Sequence, residues 1–288
     1  MTVNYLLLAL SVTLTSSRNA ITKRTALNTG SCFSDFFFAQ TILFLSSAIV
    51  LTLVNLTSLS KVSGITVLYG IIYGILLILS QWMLTLSLKS GETSICSTIY
   101  ALGLIFPTIS GALFWDEPFA LKEGIGLALV LAVIFLSVKS GNKTEKNRSI
   151  SFLPYILVAM FASGGLGILQ KLQQSSSVPE EKGAFLLIAF LIAIVSSLIA
   201  YLCCKEKNKI RHSTVVYPSL TGVCFGGANF CNTILAGRMK SSVVFPLQNI
   251  STILLSTLLG IVIFKEKITP RIAIIIALSV SAVLIFSL

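Results

Sequence analysis

Eight side chains that could bind a small molecule stand inside long apolar stretches of the sequence. They are Arg18, Gln81, Trp82, Tyr100, Asn229, Asn232, Gln248 and Asn249. Amides and a phenol form hydrogen bonds, an indole offers a flat apolar wall, and a guanidinium binds carboxylates and other anions. A polar side chain in a membrane-spanning stretch usually faces protein or a water-filled path, because lipid solvates it poorly. The set predicts a binding site for a mixed polar and apolar solute.

Arg18 has a structural interpretation beside the functional one. It lies one to two turns before the basic end of its stretch, at Lys23 and Arg24. A long basic side chain so close to a helix end can extend its head group to the membrane surface. Three roles therefore stay open for Arg18: binding of an anion, extension to the membrane surface, and a structural ion pair.

The amides form the best polar cluster. Asn229 and Asn232 are three residues apart and share a helix face. Gln248 and Asn249 follow Pro246, where a proline frees a backbone carbonyl. Amides inside a membrane also join helices to one another through hydrogen bonds. Two roles stay open for these residues, lining of a binding cavity and packing between helices. The same two roles stay open for Gln81, Trp82 and Tyr100.

No acidic residue stands in the middle of an apolar stretch. Asp35 and Glu92 stand at helix starts, where an acid also favours the helix dipole, and Glu117 and Glu266 stand at helix ends. We expect Glu92, Glu117 and Glu266 to serve in coupling or in structure. The lack of an embedded glutamate argues against a shared proton and drug site and favours facilitated diffusion or solute exchange, although Glu92, close to Lys89, could take up a proton.

No residue pattern in the sequence points to a metal, a cofactor or catalysis. The six cysteines lie mostly in apolar stretches and lack paired C-x-x-C spacing, and the one histidine, His212, lies in the basic segment KEKNKIRH. A membrane enzyme would need a convergent nucleophile, base or metal-ligand set, and a channel would need a selectivity filter. The sequence shows neither pattern, so we expect no cofactor and no enzymatic activity.

Membrane-spanning helices must position these residues. Of the 288 residues, 55% are hydrophobic and 11% are charged, whereas an ordinary soluble domain has about 25% charged residues. The apolar stretches are continuous, without the alternation of a barrel strand, and most reach the ~20 residues that a crossing helix needs. The first stretch has no positive charge before it and no cleavage pattern after it, which favours a retained helix over a signal peptide. We predict an all-α integral membrane protein with ten transmembrane helices, near 3–22, 34–56, 64–88, 93–114, 121–138, 152–173, 183–203, 214–237, 241–264 and 270–287.

The second half of the chain echoes the first. The segment from Thr93 to Phe119 is matched 149 residues later by the segment from Ser242 to Ile268. Both carry a glycine, Gly111 or Gly260, before an aromatic-polar-Glu triplet, and weaker echoes join 15–23 to 163–171 and the glycines of 70–74 to those of 222–226. Five helices per unit is an odd number, so the predicted repeats, 1–140 and 151–288, are inverted in the membrane. Duplicated units of membrane helices are typical of transporters.

The net charge of +11 is an orientation signal rather than a nucleic-acid signal. In the predicted topology one membrane face holds fourteen Lys and Arg residues, and the other holds six, namely Lys61, Lys122, Lys171, Lys182, Arg238 and Lys240. Short loops rich in Lys and Arg stay cytoplasmic, so the count places both termini outside. We expect the lipid bilayer and a small-molecule solute as partners, and no nucleic acid.

The chain resembles the drug/metabolite transporter superfamily, specifically its ten-helix EamA-type members, over nearly its whole length. The fourth helix of the family begins at a small residue, contains a mid-helix proline and a glycine, and ends at a glutamate. This chain is similar, with Ser94, Pro107, Gly111 and Glu117 at these positions. The last two recur in the ninth helix as Gly260 and Glu266, where the proline is displaced to Pro246. The segment from Thr15 to Lys23 is similar to the family's first-helix Trp-Gly-Ser-Asn element, with Thr15 and Ser16 in place of Trp and Gly, and Arg18 in place of Asn.

The resemblance implies a secondary carrier with a cavity between the two repeats, lined mainly by helices one, three, four, six, eight and nine. Such carriers move small organic solutes by alternating access, and many keep their termini in the cytoplasm, which conflicts with the charge count. We expect a multi-pass plasma-membrane exporter or exchanger of small organic metabolites. A lipid flippase of the same fold is the alternative. A homodimer is also open, although one chain already contains both repeats.

Overall fold

The computed structural model describes residues 2–26, 33–54, 62–90, 96, 99–137, 152–204, 213–264 and 269–287. These residues are almost entirely helical and include no β-strand. The α-helices are α1 (Thr2–Ala26), α2 (Phe33–Val54), α3 (Gly64–Ser90), α4 (Ile105–Phe114), α5 (Leu121–Ser137), α6 (Leu153–Gln174), α7 (Lys182–Cys203), α8 (Ser213–Arg238), α9 (Ser241–Phe264) and α10 (Pro270–Ser287). Short 3-10 turns at Leu102–Leu104 and Pro179–Glu181 lead into α4 and α7.

The all-helical prediction is confirmed, and each predicted range overlaps one of these helices. Among the described residues, five helical stretches are long and apolar enough to cross a membrane: Ser34–Val54, Gly64–Leu88, Leu153–Gln174, Pro179–Cys203 and Ser241–Val262. Many large apolar side chains stay exposed on the helices, as expected where a surface meets lipid. Membrane crossing by the remaining helices, and the inverted repeat, stay predictions.

The chain folds as two compact units, and each unit takes helices from both halves of the sequence. Unit 1 comprises Met1–Ile78 and Leu172–Arg238, and unit 2 comprises Leu79–Lys171 and Met239–Leu288. The divisions fall within α3 and α6 and between α8 and α9. The predicted repeats are stretches of sequence rather than groups in space, so this grouping does not test them.

In unit 1, α8 packs against α1 and α2, and α2 packs against α7. Three aromatic rings, Phe44, Phe190 and Phe225, lie with their centroids 5.8–6.2 Å apart and join α2, α7 and α8. The Ser47 hydroxyl of α2 donates to the Gly222 carbonyl of α8 at 2.7 Å. A hydrogen bond to a backbone carbonyl of another helix needs a close approach, which the small residues of α8 permit.

The α3 helix meets α7 at a glycine. A Cβ atom placed on Gly74 would lie 2.5 Å from the Ala189 carbonyl oxygen, closer than real Cβ contacts come. Only a residue without a side chain therefore lets the two backbones pack at this distance. Next to Gly74, the Tyr73 ring forms an edge-to-face pair with Phe185, which lies one turn before Ala189 on α7, with the centroids 5.0 Å apart.

In unit 2, α9 packs against α4, α5 and α10, and α5 packs against α10. A buried cluster of Cys96, Ile156 and Ala159 lies against the C-terminal part of α3 through Met83 and Leu84. Phe106 of α4 meets Phe161 of α6 at a centroid distance of 5.0 Å. These contacts hold α6 against α4 and against the C-terminal part of α3, which carries the predicted site residues Gln81 and Trp82.

Candidate functional site

The predicted site residues belong to two polar groups, one in each unit. Unit 1 holds Arg18, Asn229 and Asn232, and unit 2 holds Gln81, Trp82, Tyr100, Glu117, Gln248 and Asn249. Glu92 and Glu266 lie outside the described residues. Each group is described by its own contacts below.

Arg18 and Asn232 lie along one line of contact between α1 and α8, which we call the α1/α8 seam and which also contains Ser11 and Phe225. The Ser11 hydroxyl donates to the Asn232 side-chain oxygen. The Arg18 guanidinium carbon lies 4.4 Å from the centroid of the Phe225 ring, a cation–π distance. Ser11 and Arg18 are seven residues apart, and so are Phe225 and Asn232, in the opposite order. The two helices are therefore antiparallel and present matching faces two turns long.

Asn229 and Asn232 differ in their surroundings. Asn229 is 8% exposed; its oxygen accepts from the Tyr73 hydroxyl at 2.8 Å, and its nitrogen donates to the Phe225 carbonyl at 2.9 Å. It joins α3 to α8 as a packing residue of the membrane interior. Asn232 is half-buried, and within the described residues its side-chain nitrogen has no hydrogen-bond partner. The two amides therefore differ in how far protein contacts satisfy them, and solute binding by either stays a prediction.

In unit 2 the hydroxyls of Tyr100 and Ser80 are 2.9 Å apart and form a hydrogen bond. Tyr100 also packs on the Cys96 cluster, so it joins the residues that precede α4 to α3. Trp82 is 40% exposed, and Gln81 is half-buried. The structure brings Tyr100 to α3, and it leaves the Trp82 side chain partly exposed on the helix surface.

Gln248 and Asn249 lie half-buried on α9, directly after the buried Pro246. A proline inside a helix removes one backbone hydrogen bond and leaves a carbonyl to be satisfied by other groups. The two amides follow it within the same turn, as the sequence indicated. Their use in binding stays a prediction.

Glu117 has the most fully determined surroundings of the predicted residues. One carboxylate oxygen accepts from Lys171 of α6 at 2.5 Å, and the other accepts from the backbone N–H of Ser241, the first residue of α9, at 2.6 Å. The Lys171 and Glu117 side chains are 8% and 15% exposed. An acid at a helix N-terminus satisfies an N–H group that has no partner within the helix, and it complements the helix dipole. One carboxylate thus ties the end of α4 to α6 and to α9.

The backbone between Gly111 and Glu117 explains why this glycine precedes the glutamate. The N–H groups of Trp115 and Glu117 both donate to the Gly111 carbonyl, at 3.1 and 3.2 Å. Asp116 has φ of 49°, the left-handed conformation that asparagine, aspartate and glycine adopt most readily. A Cβ atom on Gly111 would press against the Glu117 carboxylate and lie 2.7 Å from Ser241 Cβ. Glycine leaves the space that the carboxylate occupies.

A second ion pair supports the same turn. Glu123 of α5 is 3% exposed and lies 3.6 Å from Lys240. Its carboxylate accepts from the Ala120 N–H at 3.1 Å, and Lys240 reaches the Pro118 carbonyl at 3.4 Å. The contacts of Glu117 and Glu123 are those of a structural junction, in which each acid satisfies backbone and cationic groups of its own unit. Coupling through Glu117 stays a prediction.

Among the residues of these groups that were not predicted as site residues are Ser11, Tyr73, Lys171 and Ser241. Ser11 could have been found from its seven-residue spacing to Arg18, which places both on one helix face. Lys171, counted among the loop cations in the charge analysis, lies within α6 and is buried. Within the described residues, no three His, Cys, Asp or Glu side chains are grouped to hold a metal ion.

No protein-family model matches this chain, and no curated protein is similar enough to match it. A solved structure described only as "Crystal structure of protein" superposes with a TM-score of 0.77 at 16% sequence identity. The match covers 99% of this chain and 96% of the other chain. At this identity the likeness concerns the fold alone. The class of this protein, a helical membrane protein, is indicated by its long apolar helices, and the superposition shows that its fold is shared along its length with a known structure.

Proposed function

We propose that the chain is a secondary transporter that moves small organic metabolites across the plasma membrane by alternating access, as an exporter or exchanger. The observation that carries the proposal is the α1/α8 seam, where Arg18 and Asn232 are half-buried between two closely packed helices. A cation and an amide at such positions are costly in lipid, and their retention indicates a functional contact. The resemblance to EamA-type transporters supports the same function.

The test is counterflow in proteoliposomes that contain the full chain. The vesicles are preloaded with amino acids, nucleosides or organic anions, and uptake of the same labelled solute is followed. Trans-accelerated uptake of one solute class would support an exchanger. Asn19→Ala, on the exposed side of α1 next to Arg18, is the matched control for variants of the seam.

The lipid-flippase alternative is tested in the same vesicles. A fluorescent phospholipid placed in one leaflet becomes accessible to a membrane-impermeant quencher in the other leaflet if the protein moves lipid. Lipid movement without solute counterflow would replace the metabolite transporter with a flippase. Absence of both activities in folded, correctly inserted protein would overturn the proposal.

A further inference from the structure

We infer that α9 has two alternative starts and that the Glu117 carboxylate selects between them. In the outer start, which the structure shows, α9 begins at Ser241 and Glu117 caps it from the end of α4. In the inner start, Glu117 has left, the helix begins two residues later, and the hydroxyl of Ser242 is the cap. This conformational switch lies within unit 2 and does not rest on the proposed function.

The residue that precedes α9 cannot cap the helix with its own side chain. A helix start needs a hydrogen-bond acceptor, whereas the ammonium group of Lys240 only donates. That ammonium group lies 3.6 Å from the Glu123 carboxylate instead. The Lys240 backbone carbonyl accepts from the N–H groups of Val243 and Val244, at 3.0 and 2.9 Å, and closes the first turn. The side-chain acceptor at this helix start is supplied by Glu117, from a distant part of the chain.

The helices α3 and α10 begin in a different way, because each is capped by the residue before it. The hydroxyl of Ser63 accepts from the Thr66 N–H at 3.4 Å, and the hydroxyl of Thr269 accepts from the Ile272 N–H at 3.3 Å. Serine and threonine are preferred at this position because their oxygen reaches the second or third N–H group of the helix. The first two residues of α9 are both serine, so its sequence contains a cap that the outer start does not use.

The hydroxyls of these two serines are unsatisfied in the outer start. Ser241 and Ser242 are 0% and 3% exposed, and neither hydroxyl has a hydrogen-bond partner among the described residues. A buried hydroxyl without a partner is unfavourable, because it has given up its hydrogen bonds to water. A start at Val243 relieves both groups. The Ser242 oxygen then accepts from the N–H of Val244 or Phe245, and Ser241 precedes the helix and meets water.

The change is confined to the first turn of α9. Pro246 has no N–H group, so the Ser242 carbonyl, four residues earlier, receives no helical hydrogen bond from it, and the turn before the proline is weakly held. Beyond this turn, Val244 and Leu247 are each 1% exposed and anchor the helix in the core of unit 2. Residues 240–243 can therefore change conformation while the rest of α9 stays in place.

Glu117 can select between the two starts because a fixed turn presents its carboxylate. The Glu117 N–H donates to the Gly111 carbonyl at 3.2 Å, and its carboxylate accepts from Lys171 and from the Ser241 N–H. In the outer start this charged cap offsets the two unsatisfied hydroxyls. Loss of the cap leaves the Ser242 hydroxyl as the acceptor for the helix start, and the balance moves to the inner start.

The first test is amide hydrogen exchange, followed by NMR on the native full-length protein in detergent. The Val243 N–H is bonded to the Lys240 carbonyl in the outer start and has no helical partner in the inner start, whereas Leu247 is helical in both. We expect Val243 to exchange about tenfold or more faster than Leu247, through a local opening. Ser242→Ala should slow exchange at Val243 about three- to tenfold, because the inner start loses its cap.

Ser279→Ala is the matched control. Its hydroxyl is also buried and has no partner among the described residues, but it lies in the middle of α10. This variant should leave exchange at Val243 unchanged. Equal exchange rates at Val243 and Leu247, or an unchanged Val243 rate in Ser242→Ala, would overturn the inference.

The second test removes the external cap. The double variant Glu117→Met, Lys171→Met eliminates the acceptor and both buried charges and keeps two long side chains. Ser242→Ala should leave the melting temperature of the native protein unchanged or slightly raised, because it removes an unsatisfied hydroxyl. In the double variant the same substitution should lower it by about 2–4 °C, because the hydroxyl now caps the helix. Ser279→Ala should have the same effect in both proteins.

An effect of Ser242→Ala that has the same sign in both proteins would show that α9 has a single start. If the double variant does not fold, the exchange rates of the native protein and of Ser242→Ala decide the question. Neither measurement needs a solute. Failure of this inference therefore leaves the proposed transport function standing, and absence of transport leaves the two starts of α9 standing.

Discussion

At the level of single residues, the same side-chain type takes different roles according to what surrounds it. Asn229 is enclosed by Tyr73 and the Phe225 carbonyl, so its amide is used within the protein. Asn232, one turn further along α8, has its oxygen occupied by Ser11, while its nitrogen meets no hydrogen-bond partner among the described residues. The sequence placed both on one helix face, but the contacts that separate them come from α1 and α3. Local spacing carries no information on which distant helix supplies a partner.

The stability of the protein should depend on the single side chain of Glu117. Glu117→Gln keeps an oxygen for the Ser241 N–H but leaves Lys171 buried without its anion, so we expect a loss of about 3–5 kcal/mol in stability. The double variant Glu117→Gln, Lys171→Met should recover part of this loss, because it removes both buried charges. Thermal unfolding in detergent measures both.

The exposed acid Glu180 provides the control for this prediction, since Glu180→Gln removes a carboxylate from the turn before α7 and should change the melting temperature little. If Glu117→Gln has the same melting temperature as the native protein, the ion pair contributes nothing to stability and the junction is held by backbone contacts alone.

At the level of the helices, small residues decide how closely two backbones approach. Gly70 and Gly74 are four residues apart, a spacing typical of a packing face, and the structure places the α7 backbone against both of them. The helix bounds could be predicted because polar residues interrupt the apolar stretches at both ends. The partner of each helix could not, because Tyr73 and Asn229 are 156 residues apart and nothing in a local pattern specifies that pairing.

The substitution Gly74→Ala tests this packing, because helix propensity and the close approach of α3 and α7 change the stability in opposite directions. Helix propensity alone favours alanine over glycine by about 1 kcal/mol. The added Cβ, however, would lie 2.5 Å from the Ala189 carbonyl oxygen, so we expect a net loss of about 1–3 kcal/mol as α3 and α7 move apart. The measurement is the melting temperature of the purified protein.

Gly64→Ala is the matched control, because a Cβ at that position meets no atom within 4 Å. It should be neutral or slightly stabilising. A Gly74→Ala variant that is as stable as Gly64→Ala would show that the close approach of α3 and α7 is not needed.

At the level of the whole molecule, the two halves of the chain depend on one another. Unit 1 contains α1 and α2 from the first half, and α7 and α8 from the second. The sequence predicted five helices in each half, and that division describes how the chain is organised along its length. Which helices share a compact unit depends on long-range packing, which composition and periodicity do not specify.

A split chain tests this dependence. We expect fragments cut between Glu145 and Lys146 to be unstable when each is produced alone, because α1 and α2 then lack α7 and α8. Produced together, the fragments should associate, and a tag on one should recover the other after solubilisation. Stable accumulation of the first fragment alone, with a cooperative melting transition, would contradict the expectation.

The Ser11–Asn232 contact can form only late in the synthesis of the chain. Its two residues are separated by 221 positions, and a ribosome that adds about 5–20 residues per second needs roughly 10–45 s between them. During that interval α1 has left the ribosome, while the helix that buries Ser11 and carries the ring beneath Arg18 does not yet exist. The first helix to be made is thus among the last to acquire its neighbours, and the insertion machinery must hold a charged segment while the rest of the chain is translated.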